Sequence, residues 1–142
     1  NYWSHGTRSA SAIVLNNYYE DVYGVTQIRD LTNAYFGNCI LYGANEDELL
    51  LDKYASGGVF NFQFDHCLLK TSMSVSGSGY TDCIRNQNPA FTDTQLQAFT
   101  INSGSAAIDA GDATVTGTIM YDILGNPRIA GTAPDMGAYE LQ

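Results

Sequence analysis

A short segment of this chain occurs twice, and the second copy restricts the folds open to it. Phe36-Gly37-Asn38-Cys39-Ile40-Leu41 lines up with Phe64-Asp65-His66-Cys67-Leu68-Leu69 at an offset of 28 residues. Phe meets Phe, Cys meets Cys, and two aliphatic residues follow in each copy. A weaker third copy, Leu15-Asn16-Asn17-Tyr18-Tyr19, sets Asn17 21 residues ahead of Asn38. Helical repeats of fixed length tolerate unequal spacings poorly, whereas a β-solenoid sheds extra residues as loops between strands.

The local patterns agree. Ala12 to Leu15, Ala34 to Phe36, Cys39 to Tyr42, Leu49 to Leu51, Val59 to Phe64 and Cys67 to Leu69 are short runs rich in branched and aromatic residues. From Phe60 onward, Phe60, Phe62 and Phe64 alternate with Asn61 and Gln63, which puts three rings on one face. Turn-forming clusters separate the runs: Asn16-Asn17, Gly43-Ala44-Asn45, Ser56-Gly57-Gly58 and the Ser/Gly-rich stretch from Ser72 to Gly79. No amphipathic helix of useful length stands out. Coils of the observed spacing give about five turns in 142 residues. Stacked coil on coil, they build one continuous core.

Charge narrows the function. Six Lys and Arg against 15 Asp and Glu leave a net charge of −9, which argues against nucleic acid, where phosphate contacts need clustered cations. It argues equally against a helix lying on anionic lipid. No apolar run approaches the ~20 residues of a membrane-spanning helix. The opening Asn1-Tyr2-Trp3-Ser4-His5 has neither the basic start nor the apolar stretch of a signal peptide. Low charge with abundant Tyr, Gly, Asn, Ser and Thr suits a β-rich protein of a secreted or surface compartment.

The C-terminal third carries a series of blocks in order: Asn88-Pro89-Ala90-Phe91, then Ile101 to Asp112 with Ser105-Ala106-Ala107-Ile108-Asp109 at its centre, then Asp122-Ile123-Leu124-Gly125-Asn126-Pro127-Arg128, and last Pro134-Asp135-Met136-Gly137-Ala138-Tyr139-Glu140. This region resembles the C-terminal part of bacterial right-handed parallel β-helix proteins of the pectin-lyase-like superfamily, the secreted or surface proteins with a choice-of-anchor C-terminal domain. Two departures stand out: Ala106 replaces the usual Pro, and Asn88 replaces the usual Asp. The resemblance implies an all-β fold, a right-handed parallel β-helix of about five coils with a C-terminal cap. Residues 1–85 are expected to form coils of a longer solenoid that continues upstream. Residues 86–142 are expected to form the terminal coil and cap of the same domain. The resemblance brings no catalytic residues with it.

A solenoid that stops exposes an apolar end and unpaired strand groups, so the cap is expected to plug it. Asp109, Asp122 and Asp135 are placed as acceptors for nearby backbone N–H groups. Gly137 is placed at a turn or close approach. Arg128 is expected to tie the Asp122 and Asp135 carboxylates together with its forked donors.

Other candidates lie upstream. Asn17, Asn38 and His66 are read as a stacked turn ladder, with a catalytic His66 beside Asp65 and near Lys70 as the alternative. Cys39 and Cys67 are expected as stacked, reduced thiols, since neighbouring coils hold Cβ atoms near the ~4.8 Å strand spacing and a bridge prefers less. No metal-ligand motif is present. The run Glu46-Asp47-Glu48 with Asp52 is read as a solvated turn, with a Ca²⁺ loop as the alternative. Asp21, Asp30, Asp52 and Asp65 are the carboxylates that a glycosidase pair would draw on. Tyr18, Tyr19, Tyr23 and Tyr42 are candidates for stacking on sugar rings, with ordinary packing as the alternative.

Three functions follow from these readings. The first is a non-catalytic, monomeric, glycan-contacting module of a secreted or cell-surface protein. The second is the C-terminal part of a polysaccharide lyase or glycoside hydrolase whose active groove lies on upstream coils. The third is a structural stalk or adhesin spacer.

Overall fold

A computed structural model describes residues 8–142. The opening segment that was read for a leader, Asn1 to His5, lies outside the described residues. The fold is all-β, and none of its sheets closes into a barrel. Among the described residues twelve strands occur in chain order: β1 (Ile13–Asn16), β2 (Tyr18–Glu20), β3 (Thr26–Ile28), β4 (Tyr35–Gly37), β5 (Ile40–Leu41), β6 (Leu49–Asp52), β7 (Gln63–Asp65), β8 (Leu68–Leu69), β9 (Tyr80–Thr81), β10 (Ile84–Arg85), β11 (Phe91–Asp93) and β12 (Ala98–Ile101). A single helical turn, α1 (Ala113–Thr116), follows.

Three sheets are parallel: β1-β6, β4-β7-β9 and β5-β8-β10. The repeat seen in the sequence sets their register. Phe36 pairs with Phe64 and Phe64 with Tyr80, while Ile40 pairs with Leu68 and Leu68 with Ile84. Parallel pairing among the described residues is thus three levels deep, not the five coils expected. Chain that an even division gives to further coils goes elsewhere. The β2-β3 antiparallel hairpin lengthens the first level, so β1 pairs with β6 36 residues on. The last parallel strand ends at Arg85, and β11-β12 beyond it is antiparallel.

Inside the stack, rings and aliphatics line up. Phe36 and Phe64 lie 4.8 Å apart at 10°, and Phe64 and Tyr80 5.8 Å apart at 15°. Leu41, Leu49, Phe64, Cys67 and Leu69 form the buried centre, with Ile13, Leu15, Leu51 and Met73 against it. A second apolar cluster lies outside this one. Ile40 and Leu68 alternate with the inward Leu41 and Leu69, and Ile84 pairs in register with Leu68, so all three point away from the interior. Ile101, Ala107 and Met136 cover them, and Leu68 is fully buried as a result.

That second cluster corrects the expected plug. Much of the C-terminal region lies along the side of the β5-β8-β10 sheet rather than across the mouth of the stack. The physical reason is the outward row itself: three aliphatics left in water would forfeit roughly 1.5–3 kcal/mol each. The Gly137 N–H donates to the Asn38 carbonyl at 2.7 Å, which fastens the segment at the corner between β4 and β5.

The acidic turn also needs correction. Glu48 is not solvated but fully buried. Its carboxylate pairs with Arg8 and accepts the Ala12 and Asn45 N–H groups at 3.1 and 3.0 Å. Asp47 accepts both the N–H and the hydroxyl of Ser72 and the hydroxyl of Thr71, which joins the first level to the second. Glu46 contributes to neither contact set. No helix among the described residues is long and apolar enough to cross a membrane.

Candidate functional site

Each corner between the second and third parallel sheets needs one residue of positive φ, because the strand must turn sharply without losing register. Asn38 (φ 49°), His66 (φ 49°) and Asp82 (φ 45°) take those three places. Asn and Asp visit this region more readily than most residues. The ladder is therefore Asn38, His66 and Asp82. Asn17 is not part of it: it follows β1, and its side chain binds the Gly57 and Val59 carbonyls and the Tyr54 N–H. Asn38 turns its amide outward to the Asp112 backbone, accepting at 2.8 Å and donating at 2.8 Å, and donates to the Thr116 hydroxyl.

The residues flanking His66 form a connected polar chain. Tyr35 and Asp65 point outward from β4 and β7, since Phe36 and Phe64 between them point inward. The Tyr35 hydroxyl donates to Asp65 Oδ2 at 2.9 Å, and Asp65 Oδ1 lies 2.8 Å from His66 Nδ1. Desolvation, then the hydrogen bond to Asp65 and its charge, push the Tyr35 hydroxyl up to about 12. His66 Nε2 stands 3.7 Å from Asp82 Oδ2, too long for a hydrogen bond. This is an imidazole oriented by a carboxylate, a geometry that serves proton transfer as well as a rigid corner. Lys70 does not join it: its ammonium donates to the Gly43 carbonyl at 2.6 Å and lies 5.0 Å from the Tyr42 ring centre.

Asp21, Asp30, Asp52 and Asp65 do not converge on a cleft either. Asp21 accepts the Tyr23 and Val25 N–H groups in the β2-β3 turn, Asp30 accepts the Val59 N–H, and Asp52 accepts the Tyr18 hydroxyl. Backbone donation from Val25 and Tyr23 holds Asp21 below the usual carboxylate range. Among the described residues no group of three or more His, Cys, Asp or Glu side chains is placed to hold a metal ion.

The four tyrosines separate. Tyr18, Tyr19 and Tyr23 belong to the β2-β3 hairpin. Tyr18 is tied to Asp52 and packs on Tyr54 at 5.4 Å, Tyr19 lies under the Arg29 guanidinium at 5.3 Å, and Tyr23 is exposed near the hairpin's turn. Tyr42 faces outward beyond β5 into a groove of about 430 Å³. Phe91, Phe99 and Tyr139 bring three further rings to that groove, and Gln97 adds an amide. Phe91 and Phe99 meet edge to face at 5.4 Å. Sequence reasoning missed this grouping because the rings come from three distant stretches. Phe91 to Phe99 reads as a hairpin only once Asp93, Gln95 and Leu96 are seen as its turn.

In the C-terminal segment, Asp109 accepts the Thr132 and Ala133 N–H groups. Asp122 accepts those of Leu124, Asn126 and Glu140, and Asp135 accepts those of Asp109 and Leu141. Arg128 departs from expectation. Its guanidinium donates to the Gly137 and Asp135 backbone carbonyls at 3.0 and 2.9 Å, not to the carboxylates of Asp122 and Asp135. Those carboxylates are already occupied by N–H groups, whereas the carbonyls of this irregular segment have no strand partner. Glu140 lies 3.9 Å away and balances the charge. Gly137 (φ 100°) also sits where a Cβ would come within 2.9 Å of Ile40.

Comparison with protein-family models, with curated proteins and with solved structures finds no match to this chain.

Proposed function

We propose that this chain is a right-handed parallel β-helix module of a secreted or cell-surface bacterial protein, non-catalytic itself, that holds a neutral glycan in the groove beside β5. The carrying observation is the groove: four rings, from Tyr42, Phe91, Phe99 and Tyr139, around about 430 Å³ with one amide at its edge. Aromatic walls with few polar groups suit the apolar faces of sugar rings. The net charge of −9 disfavours polyuronates by repulsion. In-register parallel stacking over three levels supports the β-helix reading, as do the C-terminal blocks.

A second reading rests on the 2.8 Å contact between Asp65 and His66. It makes the outward face of β4-β7-β9 part of a lyase or hydrolase surface. One experiment separates them. The protein is incubated with neutral and acidic polysaccharides while binding, new reducing ends and unsaturated products are followed. Binding of a neutral glycan without products, lost in Tyr42→Ala and Tyr139→Ala and kept in His66→Gln, supports the first reading. Products that disappear in His66→Gln establish the second. Neither binding nor products overturns both and leaves the stalk.

A further inference from the structure

Three cysteines occupy one inward position at three successive levels. The residues after them, Ile40, Leu68 and Ile84, pair in register. The Leu68 N–H donates to the Cys39 carbonyl and the Ile84 N–H to the Cys67 carbonyl, each at 2.8 Å, so the backbones keep step at the cysteines themselves. The thiols lean along the stack: Cys67 Sγ donates to the Phe36 carbonyl at 3.3 Å and Cys83 Sγ to the Phe64 carbonyl at 3.4 Å, each one level back. All three are free thiols. Cys67 is fully buried, while Cys39 and Cys83 are half-buried. Cys39 is among the residues lining a groove of about 520 Å³ on the flank of the stack.

Neighbouring parallel strands lie ~4.8 Å apart, inside the ~4.4–6.8 Å that Cα atoms span in a disulfide. The parallel Cβ directions leave such a bridge strained and therefore easily reduced. Cys39 Sγ donates to the Gly37 carbonyl at 3.1 Å; beside Cys67 the Cys39 and Cys83 thiols are lowered, while Cys67 between them is pushed up.

We propose that Cys39, Cys67 and Cys83 form a peroxide-responsive site in which Cys67 is the shared partner of one disulfide at a time. The Cys39 thiolate attacks one oxygen of hydrogen peroxide. The O–O bond breaks, hydroxide leaves, and Cys39 becomes a sulfenic acid. Cys67 Sγ then attacks Cys39 Sγ; the S–O bond breaks, and its oxygen leaves as water with the Cys67 proton. Two thiols are oxidised to one disulfide, and one peroxide is reduced to two waters. Cys83 remains a thiol and can attack Cys67 Sγ, which releases Cys39 and moves the bridge one level along.

Trypsin cleavage after Arg29, Lys53, Lys70 and Arg85 puts each cysteine on its own peptide, so the linkage is read directly. The folded protein is treated with hydrogen peroxide, alkylated after denaturation, and mapped by mass spectrometry. The expected result is loss of two of the three alkylatable thiols, with Cys39–Cys67 and Cys67–Cys83 peptides that dithiothreitol separates. Cys83→Ala keeps only the Cys39–Cys67 bridge, and Cys39→Ala, which lacks the thiol that attacks peroxide, forms neither. Three free thiols, sulfinic acids without a disulfide, a Cys39–Cys83 bridge or a link between chains each overturns the proposal. Because Cys39 and Cys83 are the half-buried pair, their variants keep the test open if Cys67→Ala does not fold.

Discussion

Leu68→Ala tests the side-on packing of the C-terminal segment. Leu68 and Leu50 both point outward from parallel strands. Leu68 is 0% exposed and Leu50 46%. On a bare outward face the two truncations would cost alike. Here Leu68 stands between Ile40 and Ile84 under Ile101, Ala107 and Met136, so its loss opens a cavity that the covering segment cannot fill. We expect about 2–5 kcal/mol for Leu68→Ala, and about 1 kcal/mol for Leu50→Ala, which already has half its surface in water. Guanidinium unfolding followed by circular dichroism gives both values. Hydrogen exchange adds the location: the Met136 and Gly137 amides, bonded to the Ala107 and Asn38 carbonyls at 2.9 and 2.7 Å, should exchange faster in Leu68→Ala and not in Leu50→Ala. Leu69→Ala, equally buried but facing the interior, should loosen β7 and β8 as well. Equal costs at positions 68 and 50 would refute the reasoning.

Three further predictions follow from named contacts. Glu48→Ala should destabilise by about 3–5 kcal/mol in thermal or denaturant unfolding, because it removes the buried carboxylate that pairs with Arg8 and takes the acceptor from two backbone N–H groups. Arg128→Lys should cost about 1–3 kcal/mol, since an ammonium cannot span the Gly137 and Asp135 carbonyls as the fork does; an unchanged midpoint would reject that role. Acid should loosen the C-terminal segment first. Donation from Ala133 and Thr132 lowers Asp109, donation from Thr114 lowers Asp112, and at Asp122 burial pushes up but the Glu140 and Asn126 N–H groups outweigh it. Carboxyls whose folded pKa lies below the unfolded ~3.9 contribute stability above that value and lose it as pH falls through the folded one. Glu140, raised by burial, acts in the opposite direction. Exchange protection over residues 130–141 should thus fall below about pH 4, and less so in Asp122→Asn.

The repeat at positions 36 and 64 was legible because the same residue types recur at the same inward, outward and corner places. Its third copy, Tyr80-Thr81-Asp82-Cys83-Ile84-Arg85, escaped notice because the spacing contracts to 16 residues and Tyr replaces Phe. The signal was present: a residue tolerant of positive φ, then Cys, then an aliphatic. Asn17 shares the residue type of a corner and a 21-residue spacing to Asn38, but not the Cys and aliphatic that mark a corner here. Glu48 could not be read as buried because its cation lies 40 residues away. The aspartates of the last third were legible as acceptors because Asp beside Gly and Asn serves turns whatever the tertiary context. What those turns pack against was not.

That last gap matters for function. In a bare solenoid the outward residues of a sheet are the floor on which a ligand lies. Here the row Ile40, Leu68, Ile84 is closed off by the chain's own end, so the β5-β8-β10 face cannot serve as such a floor along its length. One margin that stays open is at Tyr42, where the aromatic groove forms between the covering segment and the β11-β12 hairpin. The groove therefore exists only while the C-terminal segment is docked. If so, Leu68→Ala and Tyr42→Ala should both weaken glycan binding, but with different signatures. The first should lose affinity along with protection at Met136 and Gly137. The second should lose affinity with that protection intact.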